Sequence, residues 1–418
     1  MATTTPRPAA TTYDVERIRA DFPILERLVY GKPLVYLDNA ATSQKPQSVL
    51  DAMDRVYRET NANIHRGVYL MSEETTALYE EARAKIAAFV HAPDAAECVM
   101  VRNATEAMNI VAYSWARTNV KAGDLIVGTI LEHHSNLVPW QQFAKSVGAR
   151  YEVVDIDDDY RLRQDQYDAL LAQEPKLVAL THVSNGIGTI NPVGDLTRQA
   201  KAAGATVLVD GAQAVPHMRV DVQAIGCDFY AFSGHKMLGP TGSGALWGRR
   251  ELLEAMPPFL YGGDMIRRVT LKDTDYNELP WKFEAGTSDY VAAIGLGAAV
   301  DYLRAVGVDA IHEYERSLTA HALERFDGLG GVRTFGTRDL AWRAGIVSFE
   351  VDGIHPHDLA TLIDREGVCV RAGHHCNQPL MDRLEVPATT RASLYLYNTP
   401  AEIDALILAV RKAQQVFA

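Results

Sequence analysis

The stretch Asp228-Phe-Tyr-Ala-Phe-Ser-Gly-His-Lys236 is the part of the sequence that decides the fold. Its first five residues form an apolar run typical of a buried strand, and a glycine-rich turn follows at residues 239–244. Lys236 therefore stands at the mouth of a predicted strand, beside a hydroxyl and an imidazole. An amine in this position can form a Schiff base with a carbonyl cofactor, although most lysines are solvated surface charges.

Around this stretch, short β-branched runs alternate with helical patterns over residues 98–247. This alternation predicts an α/β fold with a mostly parallel sheet covered by helices on both faces. The predicted strands are 98–101, 125–130, 151–155, 177–180, 206–209, 228–232 and 245–247. Ligands of such sheets bind beyond the carboxyl ends of the strands. Polar residues stand there in this chain: Thr105, His133, Asn185, Asp210 and Lys236.

The length of 418 residues exceeds the size at which a single core usually stops growing, so we predict two domains. Residues 31–300 are predicted to form the large domain, and residues 301–418 a smaller α+β domain. Residues 13–30 are predicted to pack on the small domain. Residues 1–12, rich in Thr, Ala and Pro, are predicted to be a disordered tail.

Composition narrows the class of protein. A formal net charge of -12 argues against nucleic acid or an anionic membrane as the main partner, because both favour a basic surface. Four cysteines are too few and too scattered for a disulfide framework. The first residues lack a secretory pattern, and no apolar stretch approaches the length of a membrane span. We therefore expect a cytoplasmic protein that acts on small molecules.

Two strand ends suggest a cofactor. Asn103-Ala-Thr-Glu106 precedes a predicted helix, and a helix N-terminus with a threonine hydroxyl suits a phosphate, although an ordinary helix cap has the same pattern. Asp210 ends the apolar run 206–209, where a carboxylate could hold the protonated ring nitrogen of pyridoxal phosphate. The alternative for Asp210 is a simple turn residue.

Five longer motifs occur in a characteristic order: Glu132-His-His-Ser-Asn136, Ser184-Asn185 with Gly188-Thr-Ile-Asn-Pro192, Asp210-Gly-Ala-Gln213, Ser233-Gly-His-Lys236 and Arg371-Ala-Gly-His-His-Cys376. They resemble the motifs of the cysteine desulfurases, which are class V aminotransferases of fold-type I, and the resemblance runs from about Tyr13 to the end. The short cysteine loop is similar to the SufS type (group II) rather than the NifS/IscS type. The resemblance implies pyridoxal 5'-phosphate as cofactor and a large domain with a mostly parallel seven-stranded sheet.

The resemblance also implies roles for residues around the cofactor ring. Lys236 resembles the lysine that carries the cofactor and later acts as a proton-transfer base. His133 resembles a catalytic imidazole stacked on the ring. Asp210 resembles the partner of the ring nitrogen, and Gln213 the donor to its phenolic oxygen.

Phosphate-binding roles are implied for Thr105, Ser233 and His235. The family commonly has Gly-Thr-Thr where this chain has Asn103-Ala104-Thr105, so one hydroxyl is missing. Thr287 resembles a residue that reaches the phosphate of the other subunit's cofactor, which implies a homodimer.

Substrate binding is implied for a further set. Arg391 resembles the arginine that holds the substrate carboxylate, where a planar bidentate fork fits. Other residues at matching positions are Asn185, Asn63, His65, Arg371 and His374.

Cys376 distinguishes desulfuration from transamination. A thiolate is the reactive form of cysteine, and Arg371, His374 and His375 place positive potential around it. Cys98 and Cys227 are expected to be buried and inert. By the resemblance, L-cysteine becomes L-alanine while Cys376 takes the sulfur as a persulfide, for iron–sulfur cluster assembly.

The resemblance extends to a sulfur acceptor. His357 matches the histidine that SufS-type enzymes lend to the zinc of a SufU-type acceptor, with a SufE-type acceptor as the alternative. Two other functions stay open. One is a selenocysteine lyase, and the other is a zinc-binding carrier that uses the histidines and Cys376 of 374–376 with His355 and His357.

Overall fold

The computed structural model describes residues 13–417, so the tail predicted for residues 1–12 lies outside the described residues. The strands, in chain order, are β1 (Leu28–Val29), β2 (Lys32–Pro33), β3 (Val35–Tyr36), β4 (Cys98–Val101), β5 (Leu125–Thr129), β6 (Arg150–Val154), β7 (Leu177–Thr181), β8 (Thr206–Asp210), β9 (Phe229–Ser233), β10 (Gly244–Gly248), β11 (Ile266–Val269), β12 (Thr274–Tyr276), β13 (Val332–Phe335), β14 (Ile346–Val351), β15 (Val368–Cys369), β16 (Arg371–Gly373) and β17 (Thr389–Ser393).

The α-helices are α1 (Val15–Ala20), α2 (Gln47–Arg55), α3 (Leu70–Phe89), α4 (Ala104–Ile110), α5 (Arg117–Asn119), α6 (Val138–Val147), α7 (Gln164–Leu171), α8 (Val193–Ala202), α9 (Val222–Ile225), α10 (Arg250–Ala255), α11 (Tyr290–Val306), α12 (Val308–Asp327), α13 (Pro356–Asp364), α14 (Gln378–Arg383) and α15 (Pro400–Phe417). A π-helical turn over Val111–Ala116 joins α4 to α5.

The main sheet has seven strands in the order β4-β10-β9-β8-β7-β5-β6. Every pair is parallel except those that β10 makes with β4 and β9. The central strands are buried along their whole length, because helices cover both faces, and this explains their continuous apolar runs. The predicted α/β fold and its seven strands are confirmed, with each boundary within one residue of its prediction.

This topology places the predicted site residues together. Parallel strands β5, β7, β8 and β9 all end at one edge of the sheet, and α4 begins just beyond β4 at the same edge. The loops that leave these strand ends therefore converge on one region, as expected for open α/β sheets.

A second, antiparallel sheet has the order β13-β14-β17-β16. Its apolar core is shared with α12, α13 and α15. In its register Arg371 on β16 lies directly opposite Arg391 on β17, so both arginines are on the same face. The small sheet therefore delivers two cations to one place.

The N-terminal segment contacts the C-terminal part of the chain. The ring of Tyr13 stacks on Tyr314 at a centroid distance of 4.1 Å, and its hydroxyl donates to the Leu396 carbonyl at 2.7 Å. Arg19 pairs with Glu402 at 2.9 Å. Helix α11 runs through residue 300, where the two predicted domains meet. The domain boundaries stay predictions.

No single helix within residues 13–417 is long and apolar enough to cross a bilayer. By length and composition alone, α11 and α12 pass that test only as a pair bent by 74°.

Candidate active site

One cavity of about 210 Å³ lies at the carboxyl edge of the main sheet, between the two sheets. It brings together most of the residues predicted from the sequence. Those that line it are Thr105, His133, Asn185, Asp210, Gln213, Ser233, His235, Lys236, Arg371, Cys376 and Arg391.

Lys236 lies on the 3-10 turn Gly234–Lys236 that follows β9. The turn requires a glycine at 234, because a Cβ there would lie 2.2 Å from the Ser243 hydroxyl oxygen. Burial lowers the pKa of Lys236 to about 8, a net value in which Arg391 acts with burial while Asp210 and Cys376 act in the opposite direction. A sizeable fraction of the amine is therefore neutral, and so nucleophilic, near pH 8.

The carbonyl just before Lys236 is held from outside the main sheet. The His235 carbonyl accepts hydrogen bonds from the Thr42 hydroxyl, the Ser43 backbone N–H and the Lys45 ammonium, each at 3.0 Å. These three residues belong to the polar segment that follows β3. The segment therefore fixes the backbone from which Lys236 projects.

Burial shifts the pKa values of Asp210 and His133 in opposite directions. The Asp210 side chain is 3% exposed, and burial raises its pKa, whereas the Ala212 N–H at 2.9 Å and the Lys236 charge stabilise the carboxylate. Burial and the Lys236 charge lower the pKa of His133 to about 3, so its ring is neutral at pH 7. The ring's Nδ1 accepts the Ser135 N–H at 3.1 Å. A neutral, oriented imidazole is suited to stack on a planar group.

The N-terminus of α4 lies next to the end of β9. The Asn103 side chain caps the helix by accepting the Glu106 N–H at 3.0 Å, and the Ala104 N–H donates to the Ser233 hydroxyl at 2.9 Å. Thr105 and His235 line the same cavity. Helix N–H groups, hydroxyls and an imidazole form a donor set suited to a phosphate.

These residues fit pyridoxal phosphate. Among residues 13–417, Gln213 Oε1 and Arg391 Nε are buried polar atoms without a hydrogen-bond partner, and both residues line the cavity. His375 Nδ1 is a third such atom among the described residues that line the cavity. Buried polar groups are normally paired, so three unpaired ones around one cavity indicate a polar ligand. The amine of Lys236, the carboxylate of Asp210 and the donors at α4 supply the groups that the cofactor needs.

Arg391 is nearly inaccessible, with 1% exposure. Its Nη1 donates to the Asn185 carbonyl at 2.9 Å, and its Nη2 pairs with Asp38 at 3.1 Å. Burial lowers its pKa, with Asp38 opposing, but a guanidinium stays cationic at neutral pH. Asn185 and Asp38 thus fix the guanidinium plane and leave Nε for a carboxylate.

Cys376 lies on the loop between β16 and α14, half-buried at the cavity. His375 and Cys376 both have left-handed backbones, with φ of +54° and +55°. Such a conformation is strained for side chains with a Cβ. Cys98 and Cys227, by contrast, are fully buried, and burial raises both thiol pKa values, that of Cys98 to about 12.

Five predicted residues lie outside this cavity. His65 contacts Glu80, with its Nε2 2.8 Å from the carboxylate, and Thr287 lines a separate cavity of about 550 Å³. The side chains of His374 and His357 are exposed, and Asn63 accepts the Ser72 hydroxyl through its backbone carbonyl. Over the described part of the chain, no group of three or more His, Cys, Asp or Glu side chains is arranged to hold a metal ion.

Sequence reasoning missed several residues that contact the site: Asp38, Lys45, Glu132 and His134. Asp38 and Lys45 flank a polar stretch directly after the apolar residues 35–37, and this strand-end pattern is a signal that could have indicated Asp38. Lys45 bonds a backbone group of another segment, for which the sequence holds no signal. Glu132 and His134 lie in the motif at residues 132–136, but neither was given a role of its own, because their partners are backbone groups of other segments.

The chain matches the family model described as Aminotransferase class-V over residues 35–406, and it belongs to that family. It is 51% identical over 406 residues to a probable cysteine desulfurase of Halobacterium salinarum, covering 97% of this chain and 98% of the relative. It is 49% identical over 404 residues to one of Halalkalibacterium halodurans, covering 97% and 99%. The apo structure of a cysteine desulfurase from Thermococcus onnurineus NA1 superimposes with a TM-score of 0.91 at 38% identity, over 99% of this chain and 100% of that chain. The fold is therefore the fold-type I architecture of this enzyme family.

Proposed function

We propose that the protein is a pyridoxal-phosphate-dependent cysteine desulfurase of the SufS type. It converts L-cysteine to L-alanine and retains the sulfur on Cys376. The observation that carries the proposal is that Lys236, Arg391 and Cys376, which come from three different elements, line one cavity of about 210 Å³. An amine, a carboxylate-binding guanidinium and a thiol are the groups that this reaction needs. The names of the relatives support the same reaction.

Pyridoxal phosphate, when bound, supplies an electrophilic carbonyl carbon and a ring that accepts electron density from the substrate α carbon. Arg391 holds the substrate carboxylate and thereby aims the α carbon at the Lys236 amine, which moves the α proton. The buried Asp210 carboxylate stabilises positive charge on the ring nitrogen. His133, neutral at pH 7, orients the ring without adding charge.

Cys376 completes the reaction by accepting the sulfur. Its thiolate forms an S–S bond to the substrate sulfur while the substrate's Cβ–S bond breaks and its electron pair stays on the carbon. That carbon takes a proton and becomes the methyl group of alanine. L-cysteine plus the Cys376 thiol thus gives L-alanine plus a Cys376 persulfide, so no external oxidant is needed. The sulfur is then available for iron–sulfur cluster assembly.

The proposed activity is tested by incubating the protein, loaded with pyridoxal phosphate, with L-cysteine and measuring alanine. Before any acceptor is added, alanine should form in a single turnover per subunit, with one persulfide on Cys376 by mass spectrometry. L-selenocysteine is the comparison substrate, and faster turnover on it would favour the selenocysteine lyase instead. A protein that produces no alanine contradicts the proposal.

Arg391→Lys is expected to weaken the binding of L-cysteine. The lysine keeps the positive charge but loses the planar fork and the two hydrogen bonds that fix it. We expect KM to rise by roughly ten-fold or more, as for the loss of a charged hydrogen bond, with the cofactor spectrum unchanged. The measurement is the dependence of alanine formation on L-cysteine concentration, and an unchanged KM would show that another group holds the carboxylate.

A homodimer is part of the proposal. Thr287 lines a cavity apart from Lys236, beside Arg102 and Ser243, as expected for a residue that serves a second copy's site. Several large apolar side chains are exposed on the single subunit, notably Val68 at 95% and Leu271 at 107%. A second copy would bury them, and sedimentation of the purified protein tests this.

A SufU-type sulfur acceptor is the proposed partner. His357 is exposed on the first turn of α13, and its backbone N–H donates to His355 Nδ1 at 3.3 Å. The two rings are stacked, with centroids 5.5 Å apart. An exposed imidazole at a helix start can reach a partner's zinc ion.

His357→Ala is therefore expected to lose the stimulation of turnover by a zinc-containing SufU-type protein, while partner-free activity stays intact. The matched control is His355→Ser, which removes the neighbouring imidazole but keeps a capping oxygen. Both variants are assayed for alanine with and without the partner. If His357→Ala is stimulated as strongly as the parent, His357 is structural, and the outcome favours an acceptor of the zinc-free SufE type.

A further inference from the structure

The segment Glu132–Asn136, between β5 and α6, is anchored in the main sheet by a fully buried carboxylate. Glu132 accepts hydrogen bonds from the Thr129 hydroxyl at 2.7 Å, the Thr181 N–H at 2.8 Å and the Asn136 amide at 2.6 Å. The donors come from the ends of β5 and β7 and from the segment itself. The segment is therefore a rigid extension of the sheet edge.

From this segment His134 contacts the Cys376 loop at two points. Its backbone N–H donates to the Cys376 carbonyl at 2.8 Å, and its ring Nε2 accepts the Gln378 backbone N–H at 3.1 Å. A backbone N–H can only donate, so the ring must be neutral with its lone pair on Nε2. Burial and the nearby His374 lower the pKa of His134, which favours that form.

The Cys376 loop needs such support because its backbone is strained. His375 and Cys376 both have positive φ, a conformation that persists only where the surroundings determine it. The Asn185 amide holds the first of them by donating to the His375 carbonyl at 2.6 Å. His134 holds the second strained residue, Cys376, and also Gln378, the residue that starts α14. The two residues thus hold backbone groups from His375 to Gln378, on both sides of Cys376 in the sequence.

We propose that His134 is a positioning residue that clamps the Cys376 loop and so fixes the thiol at the cavity. The inference rests on the proposed function, since it assigns the clamp to the sulfur-accepting step. The same segment carries His133 on the cavity wall. One rigid element thus sets the position of the ring-stacking imidazole and of the thiol together.

The test is hydrogen exchange of the peptide 371–383 in the substrate-free holoenzyme. His134→Ala should raise its exchange by roughly five-fold, the ratio set by the loss of one ordinary hydrogen bond. His134→Gln should restore protection, because its amide oxygen takes the place of Nε2. Gln378→Ala is the matched control, since it removes an exposed side chain and keeps the N–H donor. In alanine formation, kcat should fall in His134→Ala with KM little changed, because Arg391 is untouched.

Exchange in His134→Ala equal to that of the parent would overturn the clamp, as would His134→Gln exchanging as fast as His134→Ala. Exchange of β8, a central strand of the main sheet outside the peptide 371–383, reports whether a variant has unfolded. If His134→Ala unfolds, the glutamine variant decides alone, with parental protection expected and faster loop exchange overturning the proposal. A parent that makes no alanine would contradict the proposed function, while the exchange data would still decide the clamp.

Discussion

Lys236→Ala is expected to abolish covalent attachment of pyridoxal phosphate and to lower alanine formation by at least about 100-fold, the usual scale of a lost general base. Among the described residues that line the cavity, Lys236 is the only lysine. Its pKa, lowered to about 8, leaves part of the amine neutral and able to react with a carbonyl. Reduction with borohydride followed by peptide mapping locates the attached group. In the parent, it should lie on Lys236 alone.

Two further variants test whether the amine of Lys236, and not merely a positive charge or any lysine, is needed. Lys236→Arg keeps a cation but not a nucleophilic amine, so it should fail as completely as the alanine variant. Lys412→Ala, a surface lysine paired with Glu366 at 2.6 Å, should behave as the parent. A pyridoxyl group found on any other lysine of the Lys236→Ala protein would contradict the assignment.

The main sheet could be predicted closely from the sequence because its strands are buried on both faces. Residues 177–181 and 229–233 are completely enclosed, so each reads as an unbroken apolar run with a sharp end. Helix α11 is less visible in the sequence, because a glycine, Gly295, lies inside it. A Cβ at this position would meet Met53 Cγ at 2.8 Å. The glycine serves close packing and not a helix end.

The residues of the candidate site also differ in how far the sequence alone could predict them. Asp210 and Lys236 could be predicted from the residues themselves, because each follows a buried strand at the binding edge. Arg391 and Cys376 were assigned only through the resemblance, since they belong to the small sheet and its loop, and no local pattern shows that this sheet faces the first. His134 lies in the motif at residues 132–136, but its role could not be predicted, because its partners are backbone groups about 240 residues away.

Cys376→Ala is expected to keep the cofactor and the ability to bind L-cysteine, yet to lose alanine formation by about 100-fold or more, as for other single residues that make the reactive bond. The thiol lines the cavity without holding any of the groups that fit the cofactor, so its removal leaves Lys236 and Arg391 in place. What disappears is the acceptor for sulfur. The spectrum of the loaded protein should still change when L-cysteine is added, while alanine and persulfide should not appear.

The matched control is Cys369→Ala, which removes another partly exposed thiol, on β15, seven positions earlier in the chain. It should form alanine at the parental rate, because Cys369 does not line the cavity. Cys98 and Cys227 cannot substitute for Cys376, since both are fully buried and burial raises their thiol pKa values. Alanine formation at the parental rate by Cys376→Ala would therefore mean that the sulfur leaves without a protein thiol, and the persulfide step would be wrong.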